Sequence, residues 1–190
     1  MGIVMKVLNR QYHRDQYHEQ GFTLIELVIA IAIIGIIAAM AAPSMQRQIQ
    51  QAKIKTAAND FATVFKDAKV QSVITQKSIK VVLTNTSNAK NLKLFNVGDN
   101  TSTATPQQTF NLDNSITLTA NPTTLGAVSF TPNKKAYQGD TGTGTLMGQD
   151  SNGAAMTTGF SVCLGTATQK YSVNVDANGN VSTQANGICP

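Results

Sequence analysis

"GFTLIELVIAIAIIGIIAAMAAPS", residues 21–44, is almost wholly apolar, and between Phe22 and Met45 its only ionisable side chain is Glu26. As a helix rising 1.5 Å per residue, the stretch would be about 36 Å long, enough to cross a bilayer core of roughly 30 Å. A carboxylate inside such a segment costs about 2.5–3.5 kcal/mol on insertion scales. Glu26 is therefore either tolerated near an interface or kept for a partner.

The segment ahead of this run is polar and carries Lys6, Arg10 and Arg14 against Asp15 and Glu19, with the chain's two histidines, His13 and His18. A cleaved secretory signal would have a shorter apolar core bounded by small residues. A single-pass anchor with a basic cytoplasmic head fits the pattern better, and it would leave the part after the anchor outside the cytoplasm. Two cysteines, Cys163 and Cys189, agree with export. They read as one disulfide worth about 3.5 kcal/mol in the loop-entropy model, or as two buried thiols.

Beyond Pro43 the pattern turns helical. Ile54, Ala58, Phe61, Phe65, Ala68 and Ser72 recur at spacings of four and three and so share one face, with Lys53, Asp60, Lys66 and Lys69 off it. Pro43 cannot donate an internal helical bond and predicts a kink where the two helix halves meet. The period then changes to two. Lys77–Thr84, Lys90–Val97, Asn114–Ala120, Gly126–Thr131, Gly159–Gly165 and Lys170–Ala177 read as strands. Asn178-Gly179 signals a hairpin turn into Asn180–Gln184. Gly98–Thr109 and Gln138–Thr158 read as long exposed loops. A helix followed by strands predicts an α+β fold, with a sheet covering the Phe61/Phe65 stripe.

No catalytic constellation emerges, and no enzyme is expected. The exported part has no histidine, which removes Ser-His-Asp, Cys-His and most zinc sites. Gly142–Gly148 lacks the lysine and the flanking helix of a phosphate-binding loop. A calcium site among Asp140, Asp150 and nearby carbonyls would match no EF-hand pattern. No cofactor or metal is predicted. The net charge of +5 is uneven: Arg47–Lys80 is basic, whereas lysines and aspartates balance from Val81 onward. The basic stretch is interleaved with the apolar stripe, as in a solvated helix face.

Gly21-Phe22-Thr23-Leu24-Ile25-Glu26, the apolar run after it and Pro43 at its end resemble the processing motif of type IV prepilins and type II secretion pseudopilins. The resemblance implies a leader peptide (residues 1–21) cut after Gly21 by a prepilin peptidase, and N-methylation of the new terminus, Phe22. It implies that Glu26 is the assembly glutamate, pairing with the Phe22 amine of a neighbouring subunit. It also implies a pilin-like fold: a transmembrane helix half (22–43), an amphipathic half (44–76) and a β-rich domain (77–190). Partners would be other minor and major pilins and the inner-membrane assembly platform, with the β-rich domain in the periplasm before assembly.

Ala42–Leu83 is similar to the helix and first strand of H-type pseudopilins and related minor pilins. Some members of that branch bind DNA through an arginine-bearing motif near the C-terminus. The corresponding tail here, Asn178–Pro190, has no arginine or lysine, so nucleic-acid binding is expected to be weak or absent. The reading is a structural minor pilin that primes or caps a type IV pilus. The alternatives are an H-type pseudopilin, a major pilin and a DNA-binding competence pilin. Intact-mass measurement of membrane-extracted protein is expected to show a chain starting at methylated Phe22; a mature chain retaining Met1, or cut beyond Ala42, contradicts the motif.

Overall fold

In the computed structural model the described residues are 21–86, 89–165 and 169–189. The chain divides into two compact units, Met1–Ala42 and Pro43–Pro190. One helix, α1 (Leu24–Thr75), contributes to both units and is followed by nine strands. The kink expected at Pro43 concerns positions 41–43, whose side chains lie outside the described residues. The leader expected over 1–21 lies outside them as well, except for Gly21.

The second unit holds every buried apolar side chain among the described residues. It therefore has a core of its own, the property that lets a domain fold alone. On α1, Ile54, Ala58, Phe61, Phe65, Ala68 and Ser72 are all buried, as their spacing predicts, and Ala57, Ala62 and Val64 widen the stripe. Ser72 is accommodated there because its hydroxyl donates to the Lys69 and Thr131 carbonyls. The helix ends at Thr75. Gln76 follows in the left-handed conformation (φ 54°) and returns its amide to the Val73 carbonyl, which satisfies one orphan acceptor.

The strands are β1 (Ile79–Asn85), β2 (Lys90–Asn96), β3 (Gln108–Asn111), β4 (Ile116–Asn121), β5 (Ala127–Phe130), β6 (Ala136–Gln138), β7 (Gly159–Leu164), β8 (Gln169–Val175) and β9 (Val181–Ile188). They form two antiparallel sheets rather than one, in the orders β3-β2-β1-β5-β6 and β4-β7-β8-β9. The helix stripe is the seam between them. Phe61 and Phe65 from α1 meet Phe160 of β7 at ring-centroid distances of 5.0 and 5.5 Å, and Phe65 meets Phe130 of β5 at 6.1 Å. Aromatic contacts of this kind contribute about 0.5–1.5 kcal/mol each beyond area burial.

Two strands escape the period-two pattern. β3 has one apolar residue in four and β6 is three residues long, too short for alternation to register. The two long polar stretches are not free loops. Buried Lys80 on β1 donates to the Asp99 carbonyl at 2.6 Å and lies 3.9 Å from the Asp140 carboxylate, tying one residue of each stretch to the sheet. Met147 is fully buried, and the Gln138 side chain donates to the Gln149 carbonyl at 2.6 Å.

The β8–β9 turn is held the same way. Asp176 accepts from the backbone N–H groups of Asn178 and Asn180, while Lys69 donates to the Asn178 carbonyl and the Asn180 side chain. Burial pushes the Asp176 carboxyl up, but the Asn180 and Asn178 hydrogen bonds and the Lys69 ammonium outweigh it, so the net shift is down. Gly179 has φ 64°, and a Cβ there would press on the Phe130 ring and the Lys69 stem at 3.3 Å.

Gly159 is needed for space. A Cβ built there would lie 2.1 Å from the Val173 carbonyl oxygen and 2.8 Å from the Asn174 Cα. Backbone cannot rotate away as a side chain can. Gly159→Ala is therefore expected to destabilise the second unit by about 1–3 kcal/mol, as other overpacked sites do. Thermal unfolding of residues 44–190 checks this; an unchanged melting temperature would refute the close β7–β8 approach.

Candidate functional site: the capped apolar helix and its carboxylate

Gly21, Phe22 and Thr23 precede the helix, and the first turn begins at Leu24. Thr23 caps it: the Glu26 N–H donates to Thr23 Oγ1 at 3.3 Å, and the Leu27 N–H to the Thr23 carbonyl at 3.2 Å. Thr23 and Glu26 thus occupy the first and last positions of a Ser/Thr-x-x-Glu capping box. An acidic group in the first turn also complements the positive end of the helix dipole. Sequence reasoning about Glu26 as a lone charge missed the Thr23 cap, which uses the Glu26 backbone N–H, although the Thr-x-x-Glu spacing was its signal.

Among the described residues, the large side chains of the apolar half are unburied. Phe22, Leu24, Ile25, Leu27, Val28, Ile29, and the large residues on to Met40, are all exposed, Phe22 by 83%. A helix that is apolar on every side is stable only inside a membrane or among other apolar elements. Among the described residues no single helix passes the length and composition requirement for crossing a membrane, but the segments Leu24–Met40 and Ser44–Thr75 pass it together.

Gly21 is open: a Cβ there would meet no heavy atom within 4 Å. Nothing in the described part of this chain demands a glycine at that point.

Cys163 on β7 and Cys189 after β9 form a disulfide with a Cα–Cα distance of 5.7 Å. The bond passes β8, which lies between the two strands in the sheet. It fastens the end of the chain to the sheet interior.

The rest of the second unit offers no reaction centre among the described residues. No group of three His, Cys, Asp or Glu side chains is placed to hold a metal. Asp140 faces Lys80, and Asp150 accepts from the N–H groups of Asn152 and Ala154, so the two aspartates considered for calcium serve separate turns. An open groove of about 770 Å³ lies between α1 and the β3–β4 segment, lined by Ile49, Ala57, Val64, Phe110, Leu112 and Ile116. On its rim, the Ser115 backbone N–H and hydroxyl hold the Asp113 carboxyl below its ordinary value, with Lys53 and Lys90 contributing.

Residues 17–42 match a family model described as the prokaryotic N-terminal methylation motif. Over 66 residues the chain is 39% identical to the fimbrial protein EcpB of Eikenella corrodens, covering 35% of this chain and 40% of that protein. Over 39 residues it is 56% identical to a fimbrial protein of Moraxella nonliquefaciens, covering 20% and 25%. The chain thus spans less than half the length of these relatives. In fold it is similar to the type IV minor pilin FimU of Pseudomonas aeruginosa in two crystal forms. The TM-scores are 0.52 and 0.54 at 15% identity, over 72% and 73% of this chain and 99% and 96% of FimU. The minor pseudopilin EpsH of the Vibrio cholerae type 2 secretion system gives 0.45 at 12% identity, over 70% of this chain and 97% of that one.

Replacing Cys163 and Cys189 together by serine is expected to lower stability by about 2–4 kcal/mol. Thermal unfolding with and without reductant checks this. Wild type and the double variant should differ under oxidising conditions and converge when reduced.

Proposed function

We propose that this chain, a type IV pilin- or pseudopilin-like structural subunit by its methylation motif and fold, is a minor pilin that helps prime or cap a type IV pilus. The observation that carries the reading is the helix Leu24–Met40, apolar on every face, exposed among the described residues and bearing one carboxylate in its capped first turn.

Cleavage after Gly21 by a prepilin peptidase turns the Phe22 amide nitrogen into a cationic amine, which is then N-methylated. Before assembly the helix half anchors the chain in the bacterial inner membrane, with the second unit in the periplasm. The assembly platform then moves it from lipid into a filament core built from homologous pilins. In that core Glu26 of one subunit meets the Phe22 amine of the next. A desolvated pair contributes little net stability, since each ion loses several kcal/mol of hydration, but a missing partner leaves an uncompensated charge. The pair therefore sets register and selects subunits.

Nucleic acid is not the proposed partner. Affinity for it depends on cations free to meet phosphates. Here Lys69 and Lys135 donate to the Asn178–Asn180 turn, Lys80 to the Asp99 carbonyl, and Lys90 to the Asn114 and Ile116 carbonyls. Lys80, Lys90 and Lys135 of the β-rich part thus have jobs within the fold.

Two substitutions separate the roles of Glu26. Glutamine keeps the side-chain length and hydrogen-bonding capacity and removes the charge, whereas alanine removes both; the backbone N–H capped by Thr23 is present in each. If pairing is the function, Glu26→Gln and Glu26→Ala are both processed and inserted normally, and both fail to restore pilus number in a deletion strain. Full restoration by Glu26→Gln would show that the charge of Glu26 is not required. Loss of secreted protein with normal pili in the deletion strain would move the chain to a secretion pseudopilus.

A further inference from the structure

Few large apolar side chains of the second unit are exposed among the described residues. Two of them, Val70 and Ile74, sit one helical turn apart near the end of α1, 53% and 75% exposed. With Val73, Lys69 and Lys134 they line an open pit of about 250 Å³. Small-molecule pockets run to roughly 300–1,000 Å³ and carry several convergent polar groups. The polar groups lining this pit are the two lysines, and its size suits one apolar side chain rather than a cofactor.

The charge around the pit is mainly positive. Lys66, one turn before Val70, and Lys134 are exposed, and among the described residues neither ammonium has a hydrogen bond or an ion pair. Lys77, exposed as well, follows the end of the helix, and the nearest acid on α1 is Asp67. These lysines are not needed to close the helix. The Thr75 hydroxyl donates to the Gln71 carbonyl and the Gln76 amide to the Val73 carbonyl, each at 2.7 Å. Lys69 differs, because its ammonium is directed to the Asn178–Asn180 turn while its stem can cover apolar surface.

Lys134 also sits against local preference. It has φ 64° in the turn between β5 and β6, a left-handed position that glycine adopts without strain. Its N–H donates to the Thr131 carbonyl, a bond that glycine would make equally well. What the lysine adds is a cation beside the pit.

We propose that this patch docks an acidic segment of a partner protein, with one apolar side chain in the pit and flanking carboxylates on Lys66 and Lys134. The two features select this occupant together. Unengaged cations call for an anionic ligand, and an apolar pit calls for a projecting side chain, the usual anchor of a protein interface. Duplex DNA offers phosphates without such an anchor, and a bilayer surface offers no projecting group to a concave site. The patch lies within the second unit, so the proposal is independent of the filament reading.

The test is a nuclear magnetic resonance titration of residues 44–190, the unit that holds its own core. The probe is a heptapeptide with a central leucine between runs of aspartate and glutamate. Saturable shifts are expected at the amides of Val70, Val73, Ile74 and Lys134, and a serine-centred peptide should bind about tenfold more weakly. In Val70→Ser/Ile74→Ser the preference for leucine should disappear. Lys134→Gly should weaken the acidic peptide by about two- to fivefold, as loss of an exposed ion pair does. The same substitution relieves the left-handed strain, so the melting temperature should stay the same or rise. A lysine that served only the fold would not give this combination. No saturable binding at millimolar peptide, equal binding of a leucine peptide flanked by lysines, or shifts confined to other surfaces overturns the proposal. Preferential binding of duplex DNA or of phosphatidylglycerol vesicles at these residues overturns it as well.

Discussion

Phe65 is the contact on which the architecture depends. It stacks on Phe160 of one sheet, touches Phe130 of the other and meets Phe61 one helical turn away at 5.1 Å. Two sheets and a helix share one apolar centre there. Aromatic side chains are large enough to bridge layers that would otherwise be too far apart for aliphatic ones. The flanking Ala58 and Ala68 are small and fully buried, so the helix can lie close to the sheets along the seam.

Around this centre the polar stretches are held by lysines acting as hydrogen-bond donors. Lys80 reaches from a central strand to one residue in each of two loops, and Lys69 and Lys135 converge on the β8–β9 turn. An ammonium donating to carbonyls and amides fixes loop geometry without requiring a paired acid, and such charge-assisted bonds are roughly twice as strong as neutral ones.

The functional segment is set apart from this economy. Leu24–Met40 makes no contribution to the buried core, and its first turn is organised locally by Thr23 and the Glu26 N–H. Its large apolar side chains are exposed among the described residues. The second unit, by contrast, buries a core of its own.

The sequence by itself determined the helix, its buried stripe, most of the strands and the segment carrying Glu26. These rest on periodicity and on local chemistry, which survive without knowledge of partners. Gly21, Phe22 and Glu26 were legible because the motif is contiguous, and their roles in cleavage and pairing remain part of the proposal. Only the tertiary structure decided that the strands split into two sheets, because β3 and β6 are too short and too polar to announce themselves and depend on neighbours for their pairing. Only it showed that Lys80 anchors both long loops, since a lysine reads as solvated until its strand is found under them. The joining of Cys163 to Cys189 belongs to the same class. Two cysteines leave bonded and free states open, and only the fold, which brings their Cα atoms to 5.7 Å, decides between them.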